Sequence, residues 1–144
     1  GYLPVKNIQK GDIIRIHFDM PVRTVAANKR VIDDKGKVAV ERGPLVYCAE
    51  AADNQGEAVL RVIMNPKEQF SLIENYSIEN KEAQGAAPFT VNAIRTNAQI
   101  LKENGGKVEV KGLNLTLIPY YAWNHRGSNQ MNVWFVKDLT ALDK

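Results

Sequence analysis

The sequence predicts an all-β fold, and three observations carry that prediction. Apolar residues recur with a period of two through most of the chain. Clusters of Gly, Pro, Asn and Asp interrupt the alternation at short intervals, and no stretch shows the apolar stripe of an amphipathic helix. Alternation of this kind places successive side chains on opposite faces of a strand, one buried and one wet. The expected architecture is an antiparallel β-sandwich, jelly-roll-like, of about nine or ten short strands.

The elements follow in order. Ile14, Ile16 and Phe18 alternate with Arg15, His17 and Asp19 after the turn signal Lys10-Gly11-Asp12, which predicts a first strand. Pro21 interrupts it, and Val22 to Ala27 reads as a second extended piece. Asp33-Asp34-Lys35-Gly36 is a turn before Val38 and Val40. Arg42-Gly43-Pro44 makes the next corner, because Pro44 fixes its own φ and drives Gly43 out of the helical region. Leu45 to Ala49 is apolar on both parities and should be a central strand covered on both faces. Ala58 to Met64 is a β-branched strand closed by Asn65-Pro66. Phe70 to Ile73 and Tyr76 to Ile78 are expected as two short strands around a Glu74-Asn75 turn. Lys81 to Pro88 reads as an exposed loop, and Phe89, Val91 and Ala93 as a strand. Thr96 to Gly106 is expected as a helical turn or a long loop. Asn104-Gly105-Gly106 precedes a strictly alternating run from Lys107 through Leu117, and Met131, Val133 and Phe135 form the last strand. Residues 138–144 carry no capping pattern and should fray.

Composition bounds the function. The 144 residues are 44% hydrophobic and 24% charged, as in one ordinary globular domain able to bury about two-thirds of its unfolded surface. The net charge is only +3. Lys29, Arg30, Lys35 and Lys37 form the densest basic group, but Asp33 and Asp34 interrupt it and no aromatics interleave, so no nucleic-acid partner is expected. No apolar run approaches the roughly 20 residues that span a bilayer, and no membrane partner is expected. A single Cys, Cys48, excludes an internal disulfide, and with two His it cannot supply a thiolate-rich zinc site. Gly1 before Tyr2 reads as a processed start or an expression scar, and no N-terminal signal is legible.

Candidate chemistry is sparse. Paired carboxylates perform most glycoside hydrolysis, yet Glu50, Asp53, Glu68 and Glu74 read as solvated charges at strand and loop edges. Cys48 lies mid-strand, where a free Cys behaves as a small buried hydrophobe. His17 is expected at the surface. No phosphate loop, nucleophile elbow or HExxH spacing occurs. No catalytic or metal-ligating residue is therefore assigned. The richest segment is Pro119 to Trp134, which gathers Tyr120, Tyr121, Trp123, His125, Arg126 and Trp134 around a polar loop. Rings with polar handles suit either a protein interface or a sugar face. Tyr121, Trp123, His125, Arg126 and Trp134 are the candidate docking or sugar-contact surface. The plainer alternative is that both Trp residues pack into the fold.

Two motifs in order, Arg42-Gly43-Pro44-Leu45-Val46-Tyr47-Cys48 and Leu117-Ile118-Pro119-Tyr120-Tyr121-Ala122-Trp123-Asn124-His125-Arg126-Gly127, resemble the C-terminal region of the β-L-arabinofuranosidase-type glycoside hydrolases, family 127. Met20-Pro21-Val22-Arg23 and Met131-Asn132-Val133-Trp134 fit the same order. The resemblance implies a β-sandwich module bracing an (α/α) barrel that carries a zinc-bound cysteine nucleophile. That zinc belongs to the barrel, which this chain lacks, so the chain itself should hold no cofactor. Residues 1–144 would form one module, with 1–27 as candidate trailing strands of the preceding sandwich. Expected partners are that sandwich and the catalytic barrel of a parent enzyme, with a homodimer as a further option. The family's habit of handling plant-type glycans in bacteria suggests a periplasmic or otherwise secreted setting.

Overall fold

The computed structural model describes residues 1–79 and 87–140. Nine strands appear: β1 (Val22–Ala26), β2 (Lys37–Arg42), β3 (Leu45–Glu50), β4 (Val62–Ile63), β5 (Phe70–Ile78), β6 (Phe89–Asn104), β7 (Lys107–Pro119), β8 (Met131–Asn132) and β9 (Phe135–Val136). The described helices are single 3₁₀ turns, the longest three residues, so the all-β expectation holds. None is long and apolar enough to cross a membrane.

The strands join in one mixed sheet. Its order is β1-β2-β9-β4-β6-β7-β3-β8, with β5 paired to β6. A further β2–β3 pairing covers Val40–Arg42 on the edge of β2 that β9 takes at Lys37 and Val38, while β1 runs along the other edge. One link, Ile63↔Val136 between β4 and β9, is parallel.

The two faces of the sheet bury two clusters. Val38 and Val40 of β2, Tyr47 and Ala49 of β3, Ile94 and Ile100 of β6, and Leu115 and Leu117 of β7 share the main core with Phe135. The opposite parity of β3, β6 and β7 presents Cys48, Ala93 and Ile118, covered by Trp123, Met131 and Val133 of the returning chain. From Tyr47 onward β3 is buried on both faces, as its apolar run predicts, whereas Val46 near its start is 37% exposed. The β2–β3 corner is a two-residue hairpin, Arg42↔Leu45, with Gly43 at φ +56°. A positive φ at the first central position is the type II′ arrangement that glycine supplies without strain. The Met20 side chain lies across it, 2.8 Å from where a Cβ would stand.

Several expectations are corrected. Ile14, Ile16 and Phe18 lie in an extended segment without strand pairing, and Phe18 is 76% exposed. Alternation alone does not make a strand without a neighbour to pair with. Val22 to Ala26 is β1, which pairs with β2 over five positions. Thr96 to Asn104 continues β6 and neither coils nor turns helical; Thr96, Ala98 and Ile100 face inward opposite Leu115, Leu113 and Lys111. The small inward residues hid the alternation. Ala58 to Met64 begins as a 3₁₀ turn over Val59–Arg61 and keeps only two strand residues. Met131 to Phe135 splits into β8 and β9, which pair with β3 and β2 respectively. Glu74-Asn75 is a bulge within one continuous β5, with Asn75 at φ +55°. Most of the loop expected over 81–88 lies outside the described residues.

Candidate functional site

Behind the aromatic loop, the end of β3 and the 3₁₀ turn Ala51–Asp53 carry two carboxylates into the interior. The side chains of Glu50 and Asp53 are fully buried, which corrects their reading as solvated edge charges. Glu50 shares the parity of Cys48 on β3, and the loop arches over that face. Arg126 comes down from the loop with a side chain only 11% exposed. Its guanidinium donates through both Nη atoms to the Asp53 carboxylate and through Nη2 to Glu50 Oε2. A fork of parallel donors fixes a carboxylate in orientation as well as distance.

The remaining oxygen capacity is met locally. Tyr76 donates its hydroxyl to Asp53 Oδ1 at 2.8 Å, and the Asn124 backbone N–H donates to Glu50 Oε1 at 2.9 Å. Asn129 Nδ2 reaches the same Glu50 oxygen at 3.4 Å. Beneath them the buried Asn54 amide donates to the carbonyls of Glu50 and Thr116 and accepts from the Thr116 N–H at 2.8 Å. Low dielectric makes such a network stabilising when every member is paired and costly when one is missing.

The electrostatics follow from the packing. Burial works to lower the Arg126 pKa, but hydrogen bonds to Asp53 and Glu50 override it and hold the group above its ordinary value. Burial first, and then Asp53, push the Tyr76 hydroxyl up to about 12. Burial, reinforced by the charges of Glu50 and Asp53, pushes the Cys48 thiol up to about 12. A thiol in that state is neither a nucleophile nor a metal ligand near neutral pH. Among the described residues no group of three or more His, Cys, Asp or Glu could hold a metal, so these residues do not fit a zinc site.

The proposed surface residues separate into two sets. Tyr121 is 62% exposed, and His125 is exposed with its ring edge-on to Phe89 at 5.1 Å. Trp123 is half-buried against the second cluster and stacks with the exposed Tyr120 at 6.1 Å and 27°. Trp134 is half-buried beside β9. Arg126 belongs to the interior, so it supports the loop from beneath and is not presented at the surface. Sequence reasoning missed the Glu50–Asp53–Arg126 cluster. The only signal was Glu50 following a doubly apolar strand, since such a strand tends to bury whatever ends it.

These features define an all-β module whose ionisable cluster ties a loop to the sheet, with no assembled nucleophile or general acid–base pair among the described residues. The glycoside hydrolase family 127 C-terminal domain model matches residues 22–136, and the chain belongs to that family. It is 30% identical over 143 aligned residues to a non-reducing end β-L-arabinofuranosidase of Bifidobacterium longum, covering 88% of this chain and 20% of that enzyme. Among solved structures, a family 127 β-arabinofuranosidase matches at TM-score 0.73 and 44% identity, covering 87% of this chain and 18% of the other. A family 127 β-L-arabinofuranosidase from Geobacillus stearothermophilus matches at TM-score 0.66 and 26% identity, covering 83% and 19%. The chain therefore spans about a fifth of the length of the relatives it matches.

Proposed function

We propose that this chain is a non-catalytic structural module of a β-L-arabinofuranosidase-like glycoside hydrolase, packing through its N-terminal arm and aromatic loop on the rest of that enzyme. The observation that carries this reading is the arm. Ile14, Ile16 and Phe18 alternate as a strand would, yet they and Tyr2, Leu3 and Ile13 stand exposed, without cover among the described residues. Contiguous exposed apolar surface of this kind marks an interface. The preceding sandwich and the catalytic barrel are the partners whose cover it would need, and any zinc would be held by barrel residues. The inertness of Cys48 and the internal pairing of Glu50, Asp53 and Arg126 support a structural role over a catalytic one.

The test compares a parent family 127 enzyme with a version lacking the segment equivalent to residues 22–136. Lower thermal stability with unchanged turnover per folded active site is expected. Unchanged stability after the deletion, or turnover of a chromogenic arabinofuranoside by this chain alone with added zinc, would overturn the reading. The stacked Tyr120–Trp123 pair favours sugar contact as the second reading. Quenching of Trp fluorescence by arabinose oligosaccharides would select it.

A further inference from the structure

On the outer face of β4, β6 and β7, away from the aromatic loop, lies an open cleft of about 730 Å³. Its floor is Ile63, Asn97, Gln99 and Gly112. The register places Gln99 directly between Ile63 of β4 and Gly112 of β7, so these residues share one face, and Asn97 lies two positions away on that face. Among the described residues the side-chain amides of Asn97 and Gln99 make no hydrogen bond.

Gly112 is the informative residue. It sits in the middle of β7, where a glycine weakens a strand by offering no side chain to pack. Its backbone does not require glycine, since its φ lies outside the left-handed region. Nor does packing require it, because a Cβ there would meet nothing within 4 Å. Nothing inside the chain accounts for the missing side chain. A glycine mid-strand commonly marks a place where something from outside approaches the backbone closely.

We propose that this cleft binds a neutral sugar, with Asn97 and Gln99 as its polar contacts and the Gly112 notch admitting the ring edge. The chemistry fits in two respects. Carboxamides both donate and accept, as hydroxyl groups require. The rim carries Lys67 and Lys137 against Glu68 and Asp138, two charges of each sign, which favours neither an anionic nor a cationic ligand. The site lies six positions along β6 from Ala93, on the same face but beyond the patch that the aromatic loop covers, and does not rest on that reading.

The experiment is a titration of the full ¹⁵N-labelled chain with L-arabinose, D-xylose and D-glucose, with glucuronate and glucosamine as charged comparators. Saturable millimolar shifts of the Asn97 and Gln99 side-chain amide signals by the neutral sugars are expected. Gly112→Val should weaken that binding at least about tenfold while thermal stability is kept or raised, because a β-branched residue suits a strand. Gln99→Ala, on an exposed position, should weaken it without unfolding. Shifts confined to residues 120–134, no shift at all, tighter binding of a charged comparator, or undiminished binding in both variants would each overturn the proposal. Protection of these amides only when a neighbouring domain of a parent enzyme is present would assign the notch to a protein backbone and overturn it as well.

Discussion

Tyr76 reaches Asp53 only because β5 gains one residue before it. Ile73 faces the second apolar cluster, and strict alternation would then turn Tyr76 to the opposite face. The Glu74-Asn75 bulge reverses the parity, so Ile73, Tyr76 and Ile78 all face that cluster and the Tyr76 hydroxyl lies 2.8 Å from Asp53 Oδ1. On β6, Asn92 faces the bulge, and its carbonyl accepts the Tyr47 hydroxyl at 2.9 Å.

Tyr76→Phe should therefore destabilise the fold by about 1.5–3 kcal/mol, the range for a hydrogen bond to a charged group. Deleting Asn75 should cost more, because it turns both Tyr76 and Ile78 outward. Urea unfolding of the two variants measures the difference.

Arg126→Met removes the one cation from two buried carboxylates, and should cost about 3–5 kcal/mol. Combining it with Glu50→Gln and Asp53→Asn should recover part of that loss, since no uncompensated charge then remains. Thermal melts of the single and triple variants check this, and equal losses would contradict the role assigned to the cluster.

Gly43→Ala places a side chain at φ +56° and against Met20, at a cost of about 1–3 kcal/mol. Adding Met20→Ala should relieve the contact and leave the backbone strain. A double-mutant cycle separates the two shares.

Stability should fall in alkali. The Cys48 thiol has an ordinary pKa of 9.0 and is pushed up to about 12 in the fold, so the folded chain holds its proton longer than the unfolded one. Its contribution is fully present below about pH 9 and is lost as pH rises toward 12, by a few kcal/mol in all. Tyr76, raised in the same direction, adds to the upper part of that window. Cys48→Ala should show a shallower decline over the same range in denaturant midpoints.

Ile16→Ser and Phe18→Ser touch only the exposed arm. Each should change the thermal stability of this chain by less than about 0.5 kcal/mol. Self-association in sedimentation should fall if the arm's apolar face drives it.

Much of this fold was readable because strand alternation and turn chemistry are local. The Arg42-Gly43-Pro44 hairpin, the doubly buried Tyr47–Ala49 stretch and the Asn104–Lys107 turn each follow from neighbouring residues. So does the family, whose two motifs lie within continuous stretches. The parallel Ile63↔Val136 link, the split of Met131–Phe135 into β8 and β9, and the fate of the Ile14–Phe18 alternation were decided in three dimensions, because pairing partners lie far away in the chain. Glu50, Asp53 and Arg126 make the same point for the site. Their side chains are 76 and 73 positions apart from Arg126 in sequence, and each taken singly is a polar residue beside a turn. A charge can be buried only when its counter-charge arrives, and that arrival is a property of the folded chain alone.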